Sequence, residues 1–326
     1  FVSLPVSGIK DRLFSIKYFM GYFSMSKYRR LVYKYINEKN AKHLYNLMDS
    51  IEIDLVNMKP SFIILGNDSL PIERALILIC KKLKIPALVI QHGHYTSNLS
   101  LSDGKIADYI LVWGKYFKDL YIKNGLRKPD DLYILGYPLQ IEKNYSFSKE
   151  NNNYTVVRIA SLGACNSNVL FEDKIDTIKK LNDVCSKLGI DFIYRPHPGE
   201  DIELINNKIS HIKFTQKGEK LIDTIKNNNI FISFNSTALV EAFMCSKICI
   251  QLLSISLSVA NFEKLGICNK TFKDIKDLEN YLRIIAETNF KELDKFRKKF
   301  NNDYIDITHE PSKRFLEILE DIKKIR

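Results

Sequence analysis

Short apolar runs alternate with amphipathic helical stretches from about residue 60 onward, and this alternation constrains the fold more than any other feature. The runs are almost wholly apolar, which is typical of parallel strands that helices cover on both faces. Before residue 140, the pattern predicts strands at Ser61–Leu65, Ala87–Ile90, Tyr109–Trp113 and Leu132–Leu135, with helices at Glu73–Lys84 and Lys115–Lys123.

A second set of strands and helices follows the polar stretch Glu142–Asn153, which we interpret as a linker. The predicted strands are Val156–Ala160, Asp191–Tyr194, Ile230–Phe234 and Ile248–Leu252, and the predicted helices are Lys174–Leu188, Leu221–Asn227 and Thr237–Cys245. Two such sets predict an α/β protein with two doubly wound, Rossmann-like domains facing across a cleft.

The domain boundaries follow from the linker. We expect an acceptor-side domain over residues 1–145 and a donor domain over residues 152–300. Residues 301–326 contain an amphipathic stretch, Ser312–Ile325, that begins behind Pro311. We expect this last helix to pack back toward the N-terminal domain.

Composition excludes several classes of protein. With 326 residues, 45% of them hydrophobic and 27% charged, the chain is neither disordered nor fibrous. No apolar run approaches the roughly 18 residues of a membrane-spanning helix. None of the six cysteines forms a Cys-x-x-Cys pair, which favours buried, reduced thiols in a cytoplasmic protein over a zinc site.

Positive charge is concentrated near the N-terminus. Residues 1–50 carry nine Lys and Arg against three acidic residues, which is +6 of the net charge of +11. Residues 10–35 interleave these cations with Phe and Tyr, a pattern that fits the anionic inner face of the cytoplasmic membrane or an anionic polymer. The alternative is a solvated helix whose tyrosines pack inward. We expect no nucleic acid as partner, because no nucleic-acid-binding module follows.

Ionisable side chains follow two strands of the predicted first domain. His92 and His94 flank Gly93 directly after Ala87–Ile90, and Asp68 comes shortly after Leu65. Ligands in an open α/β sheet bind at the carboxyl ends of its strands. We therefore expect one of the three to be a general base or nucleophile, with Asp103 as the next candidate.

A comparable group of polar residues lies at the strand ends of the second domain. The candidates for binding the donor are Gly163, Arg195, His197, Pro198, Asn235, Ser236, Thr237 and Glu241. Ser236 and Thr237 open a helix, whose N-terminus attracts a phosphate. Arg195 and His197 could add donors, and Glu241, one helical turn on, could accept from ribose hydroxyls. An ordinary N-cap is the structural alternative for Ser236 and Thr237.

The motifs His197-Pro198 and Ser236-Thr237 resemble those of GT-B glycosyltransferases that use CMP-activated acid sugars, namely bacterial sialyltransferases and Kdo transferases of capsule and lipopolysaccharide synthesis. The resemblance spans roughly residues 60–270 and implies that His197, Ser236 and Thr237 contact the CMP moiety. Those families also carry an acidic motif ending in glycine in the first domain, and Ser102-Asp103-Gly104 matches it only in part.

Two further families share features with this sequence. CDP-glycerol polyol-phosphate transferases of teichoic acid synthesis also have a first-domain His-Gly motif and a His-Pro motif, which would make His92 the base. UDP-N-acetylglucosamine 2-epimerases share the fold, but their Asp-Ser-Gly-Gly loop is replaced here by Phe234-Asn235-Ser236-Thr237.

From the sequence we expect a bacterial transferase that moves a sialic-type or Kdo-like acid sugar from a CMP donor to a glycan or glycolipid acceptor at the membrane. CDP-polyol phosphotransfer is the alternative, ahead of an epimerase or a glycan-binding module without activity. No Asp-x-Asp pair occurs, so we expect neither a metal nor another cofactor.

Overall fold

The computed structural model describes residues 38–94, 104, 106–138, 158–162, 171–209, 211–253, 260–288, 292, 295–296 and 298–325. These residues form two compact units. The first unit comprises the described residues up to His92, from Gly104 to Val112 and from Tyr121 to Tyr133, and the remaining described residues form the second.

The first unit is built on a parallel sheet covered by helices. Its elements in chain order are α1 (Glu38–Met58), β1 (Ile63–Leu65), α2 (Pro71–Leu83), β2 (Ala87–Ile90), β3 (Tyr109–Val112), α3 (Lys115–Lys123) and β4 (Leu132–Ile134). The strand order is β1-β2-β3-β4, with β2 parallel to both of its neighbours. The two last elements are shared between the units, because Lys115–Leu120 of α3 and Ile134 of β4 belong to the second unit.

Local sequence explains how α2 begins and ends. Pro71 occupies the first helical turn, where its missing N–H is not needed. Lys84 ends the helix in the left-handed conformation, with φ of 59°. Between them, Leu76, Ile79 and Cys80 pack with apolar residues of α1 in a small core.

The second unit contains a larger doubly wound sheet. Its elements are β5 (Arg158–Leu162), α4 (Phe171–Lys187), β6 (Asp191–Arg195), α5 (Ile202–Lys208), β7 (Lys213–Phe214), α6 (Leu221–Asn227), β8 (Ile230–Ser233), α7 (Thr237–Met244), β9 (Ile248–Leu252), β10 (Lys270–Phe272), α8 (Ile275–Glu287) and α9 (Pro311–Ile325). The strand order is β10-β9-β8-β5-β6-β7 and every pair is parallel.

This strand order fixes where a ligand can bind. The order reverses between β5 and β8, and the crevice outside the carboxyl ends of the strands at such a reversal is the usual binding position. β8 and β9 are buried along their whole length, as their mostly apolar sequences predict, and the two polar residues among them, Ser233 and Gln251, are buried as well. The predicted doubly wound α/β fold is therefore confirmed.

Several predicted boundaries were wrong by one or two residues. β5 extends to Leu162 instead of ending at Ala160, because Leu162 pairs with Arg195 on β6. For the same reason Arg195 is the last residue of β6 and not the first of the following loop. β8 ends at Ser233, which leaves the Phe234 carbonyl to a side chain described below.

The sequence pattern did not predict five of the elements, namely α1, α5, β7, β10 and α8. A signal for α8 was present, because Asp274 caps it by accepting from the Lys276 N–H and apolar residues recur along one face. β7 and β10 have only two and three residues, too few for a periodic signal.

The C-terminal segment packs on residues that follow β3. Backbone bonds join Tyr116 N–H to the Asp303 carbonyl and Asp306 N–H to the Trp113 carbonyl, at 2.7 and 2.8 Å. Gly114 permits this approach, since a Cβ there would lie 2.5 Å from the Asp303 oxygen. The domain boundaries predicted from the sequence stay predictions.

Candidate functional site

The N-terminus of α7 lies at the carboxyl end of β8, beside the reversal of strand order. Ser236 is buried and is the N-cap, its hydroxyl accepting from the Ala238 N–H at 3.2 Å. The sequence prediction of a capped helix at this position is thus confirmed. The first-turn N–H groups and the helix dipole make such a terminus suitable for an anion.

His94, 141 residues earlier in the chain than Asn235, is held at this helix terminus. Its backbone N–H donates to the Thr237 hydroxyl at 3.5 Å, and its Nε2 lies 3.3 Å from the Asn235 carbonyl oxygen. The edge of its ring contacts the buried Phe262, with 5.0 Å between the ring centroids. Folding therefore unites three candidates from two distant parts of the sequence, His94, Asn235 and Thr237.

The loop after β6 carries His197 in a defined orientation. His197 Nδ1 accepts from the Gly199 N–H at 3.0 Å, while the His197 backbone N–H donates to the Glu200 carboxylate at 2.6 Å. Because Nδ1 accepts, the proton of a neutral imidazole resides on Nε2, which can then donate to an anion. Pro198, also predicted from the sequence, is exposed in the turn.

Glu200 closes this loop, a role that the sequence reading did not assign. The side chain is 5% exposed and pairs with Lys174 of α4. Both carboxylate oxygens also lie 3.0 Å from the Tyr194 hydroxyl, which donates to them. Burial, together with the Glu200 charge, raises the pKa of Tyr194 well above its usual value. A Glu three residues after His197 was the available signal.

Arg195 is committed to neighbouring elements. Its Nη1 donates to the Glu219 carbonyl at 3.0 Å and to the Thr224 hydroxyl at 2.9 Å. This follows from its place at the end of β6, since the side chain reaches the start of α6. Burial raises the pKa of Glu241 on α7, and the positive charge of Arg195 partly opposes that rise.

Glu241, the predicted ribose-binding residue, is bonded to Tyr137. Burial raises the pKa of Glu241, while the hydrogen bond from Tyr137 and the charge of Arg195 oppose that rise. Burial, and then the Glu241 charge, raises the pKa of Tyr137 in turn. This carboxylate therefore has a protein partner one helical turn from Thr237.

Asp68, in the first unit, is buried and holds a loop together. Its oxygens accept from the backbone N–H groups of Gly104, Ile106 and Ala107, at 2.6, 2.7 and 3.1 Å. Arg127 donates to the Gly104 and Ala107 carbonyls in the same loop. Three amide donors stabilise the carboxylate as an anchor for this loop.

His92 differs from Asp68 in being exposed. Its Nδ1 lies 2.8 Å from the Gly66 carbonyl oxygen and, since a carbonyl only accepts, Nδ1 carries the proton. The lone pair then resides on Nε2, which is the protonation state of a general base.

Some predicted residues lie outside the described part of the chain. These are Asp103, Gly163 and the basic aromatic residues 10–35. Among the described residues, no group of three or more His, Cys, Asp and Glu side chains is placed to hold a metal ion. None of the described helices is long and apolar enough to cross a membrane.

Comparison with known proteins shows the fold. No family model and no curated protein matches the chain. The structure is similar to the UDP-GlcNAc 2-epimerase of Methanocaldococcus jannaschii, solved with UDP-GlcNAc and UDP, with a TM-score of 0.59, 16% identity, and coverage of 86% of this chain and 81% of that one. It is also similar to the UDP-GlcNAc 2-epimerase of Neisseria meningitidis, bound to UDP-GlcNAc, with a TM-score of 0.61, 14% identity, and coverage of 87% of this chain and 82% of that one.

The wall teichoic acid polymerase TagF is also similar, with a TM-score of 0.51 and 12% identity over 81% of this chain and 73% of that one. These enzymes have GT-B, Rossmann-like folds, and this chain shares that fold. The comparisons do not support the finer resemblance to sialic acid or Kdo transferases.

Proposed function

We propose that this chain is a transferase whose donor is a nucleotide ester, bound with a phosphate at the N-terminus of α7. The observation that carries the proposal is the convergence of His94, Asn235 and Thr237 on that terminus, at the reversal of strand order. His197, on the loop after β6, which β5 separates from β8 in the sheet, would supply a further donor for the anion. The nucleotide ligands of the similar epimerases support the same class of ligand.

The catalytic base in this proposal is His92. Its Nδ1 bond to Gly66 orients the imidazole and leaves the lone pair on Nε2. Such a base removes the proton of an acceptor hydroxyl as the bond to the donor forms. Asp68 is left out, because both of its carboxylate oxygens already accept from backbone amides.

Two donor chemistries fit this arrangement. A CMP-activated acid sugar would lose CMP as its glycosidic bond transfers to the acceptor, and the helix dipole with His197 would stabilise the single leaving phosphate. A CDP-polyol would instead transfer its polyol-phosphate group: the acceptor oxygen attacks the distal phosphorus, the bond from that phosphorus to the bridging oxygen breaks, and CMP leaves. The exposed, oriented His92 and the fold shared with TagF favour this second candidate.

A thermal-shift panel of CMP, CDP, UDP and GDP tests the proposal. A ligand at 100 times its Kd stabilises the folded state by about 2.7 kcal/mol, so a bound nucleotide raises the melting midpoint. We expect CMP and CDP to do so. Stabilisation by UDP alone would support an epimerase, and no shift with any nucleotide would overturn the proposal.

Substitution at the helix terminus locates the binding. Thr237→Val keeps the side-chain shape and removes the hydroxyl, so we expect a smaller nucleotide-induced shift. Thr288→Val is the matched control, because Thr288 is a half-buried threonine at the end of α8 whose hydroxyl is also hydrogen-bonded, to the Ile284 carbonyl. Assays with radiolabelled CDP-glycerol and CMP-sialic acid then separate the two chemistries, since only the first leaves phosphorus on the product.

A further inference from the structure

The side-chain oxygen of Asn235 is a buried acceptor whose hydrogen bonding the described residues do not account for. Its Oδ1 is buried and has no hydrogen-bond partner in the described part of the protein. Buried polar atoms are nearly always bonded, and an unbonded one destabilises the folded state. Asn235 lies between the end of β8 and the N-cap of α7, where the donor is proposed to bind.

Other buried carboxamides in the same unit have hydrogen-bond partners. Asn269 accepts from the Cys249 N–H at 2.6 Å and donates to the Phe296 carbonyl at 2.6 Å. Asn228 donates to the Thr224 carbonyl at 2.8 Å. Asn235 Oδ1 therefore differs from Asn269, whose oxygen and amino group both have partners.

The backbone around Asn235 is held on both sides. Gln251, fully buried on β9, donates from Nε2 to the Phe234 carbonyl at 3.0 Å. The Asn235 carbonyl lies next to His94 Nε2. These contacts hold the Phe234 and Asn235 carbonyl groups, and with them the backbone that carries the Asn235 side chain.

Gln251 also ties this segment to the loop that contacts His94. Its Nε2 donates to the Ala260 carbonyl at 2.9 Å, and its Oε1 accepts from the Phe262 N–H at 2.9 Å. Phe262 in turn packs against the His94 ring. One amide thus positions both sides of the Asn235 backbone.

We propose that Asn235 Oδ1 is a ligand-binding acceptor that takes a hydrogen bond from an O–H or N–H of the nucleotide donor, with Gln251 as a positioning residue. The inference rests on the proposed function. An ionised phosphate has oxygens that only accept, so the partner of Oδ1 is a sugar hydroxyl or an amide of the ligand. Asn235 then selects for the hydroxyl-bearing part of the donor, while the helix terminus selects for its charge.

Asn235→Leu separates a ligand-binding residue from a structural one. Leu has nearly the same shape and removes the unbonded polar atom, so we expect the ligand-free protein to melt about 1–3 °C higher. The same substitution removes a bond to the ligand. We expect affinity for CMP or CDP, measured by calorimetric titration, to fall about ten-fold, which corresponds to about 1.4 kcal/mol.

Asn269→Leu is the matched control, because the oxygen and the amino group of the Asn269 side chain both have hydrogen-bond partners. It should lower the melting midpoint and leave the affinity of the folded protein unchanged. Asn235→Leu with a lowered midpoint, or with wild-type affinity, would overturn the inference. Asn235→Ala supplies the affinity if the Leu variant does not fold. If wild type binds none of the four nucleotides, the proposed function and this inference fail together; if only the variant result fails, the proposed function stands.

Discussion

The carboxyl edges of the two sheets use their polar residues differently. In the first unit the strand-end carboxylate, Asp68, is buried under three backbone amides, and the exposed group is His92. In the second unit the buried groups are Glu200 and Gln251, which fix the loops carrying His197 and Asn235. A polar residue at a strand end therefore need not bind a ligand. Where its side chain is buried and hydrogen-bonded within the protein, it stabilises the fold instead.

The largest expected effect is on His92. His92→Asn keeps a donor near the Gly66 carbonyl and removes the basic Nε2, so kcat should fall 10²- to 10⁴-fold, roughly the contribution of a general base. Nucleotide affinity should stay unchanged. Release of CMP from the donor in the presence of acceptor measures kcat. His211→Asn, at an exposed histidine, is the control, and wild-type kcat in His92→Asn would remove His92 from the mechanism.

Asp68 should affect stability instead of turnover per folded molecule. Asp68→Asn leaves one acceptor oxygen and directs an NH₂ toward backbone donors, at a cost of about 3 kcal/mol of unfolding free energy. Urea denaturation measures this change. Asp119→Asn removes only an exposed ion pair with Lys115, which solvent screens, so its unfolding free energy should stay close to that of wild type. A stable Asp68→Asn protein without activity would reverse the assigned roles of Asp68 and His92.

Glu200 should act through the loop that it holds. Glu200→Gln weakens the bonds to Lys174 and to the His197 N–H, so we expect KM for the donor to rise about ten-fold with little change in kcat.

His197→Ala, by contrast, should lower turnover about 100-fold, since it removes a donor to the leaving phosphate. Glu172→Gln, at an exposed ion pair, is the control. Equal loss of kcat in Glu200→Gln would make Glu200 more than a positioning residue.

The smallest expected effect is a pH dependence from Glu241. Burial raises its pKa in the folded protein, so the folded state binds more protons than the unfolded state above the ordinary value near 4.5. Stability therefore falls as pH rises from about 4.5 through the raised pKa. Glu241→Gln does not titrate, and its melting midpoint relative to wild type should increase from pH 4.5 to 7.5. A constant difference would show that the Glu241 pKa is not raised.

Much of the fold followed from the sequence, because parallel strands and the helices between them have unmistakable apolar patterns. Ala87–Ile90, Lys115–Lys123, Leu221–Asn227 and Ile248–Leu252 were predicted to the residue. Short or weakly patterned elements such as β7 were not, since two residues carry no periodicity.

The sequence alone also determined which residues stand at strand ends, including His92, His94, His197 and Asn235. It could not decide which of them face hydrogen-bond partners, because Asp68 meets its amides 36 residues away and His94 meets Asn235 141 residues away. Contacts over such separations depend on how strands are ordered and loops are packed, which no local pattern encodes. Tertiary structure therefore decided that Asp68 anchors a loop, that Glu200 and Gln251 support the site, and that Asn235 Oδ1 has no hydrogen-bond partner among the residues that the structure describes.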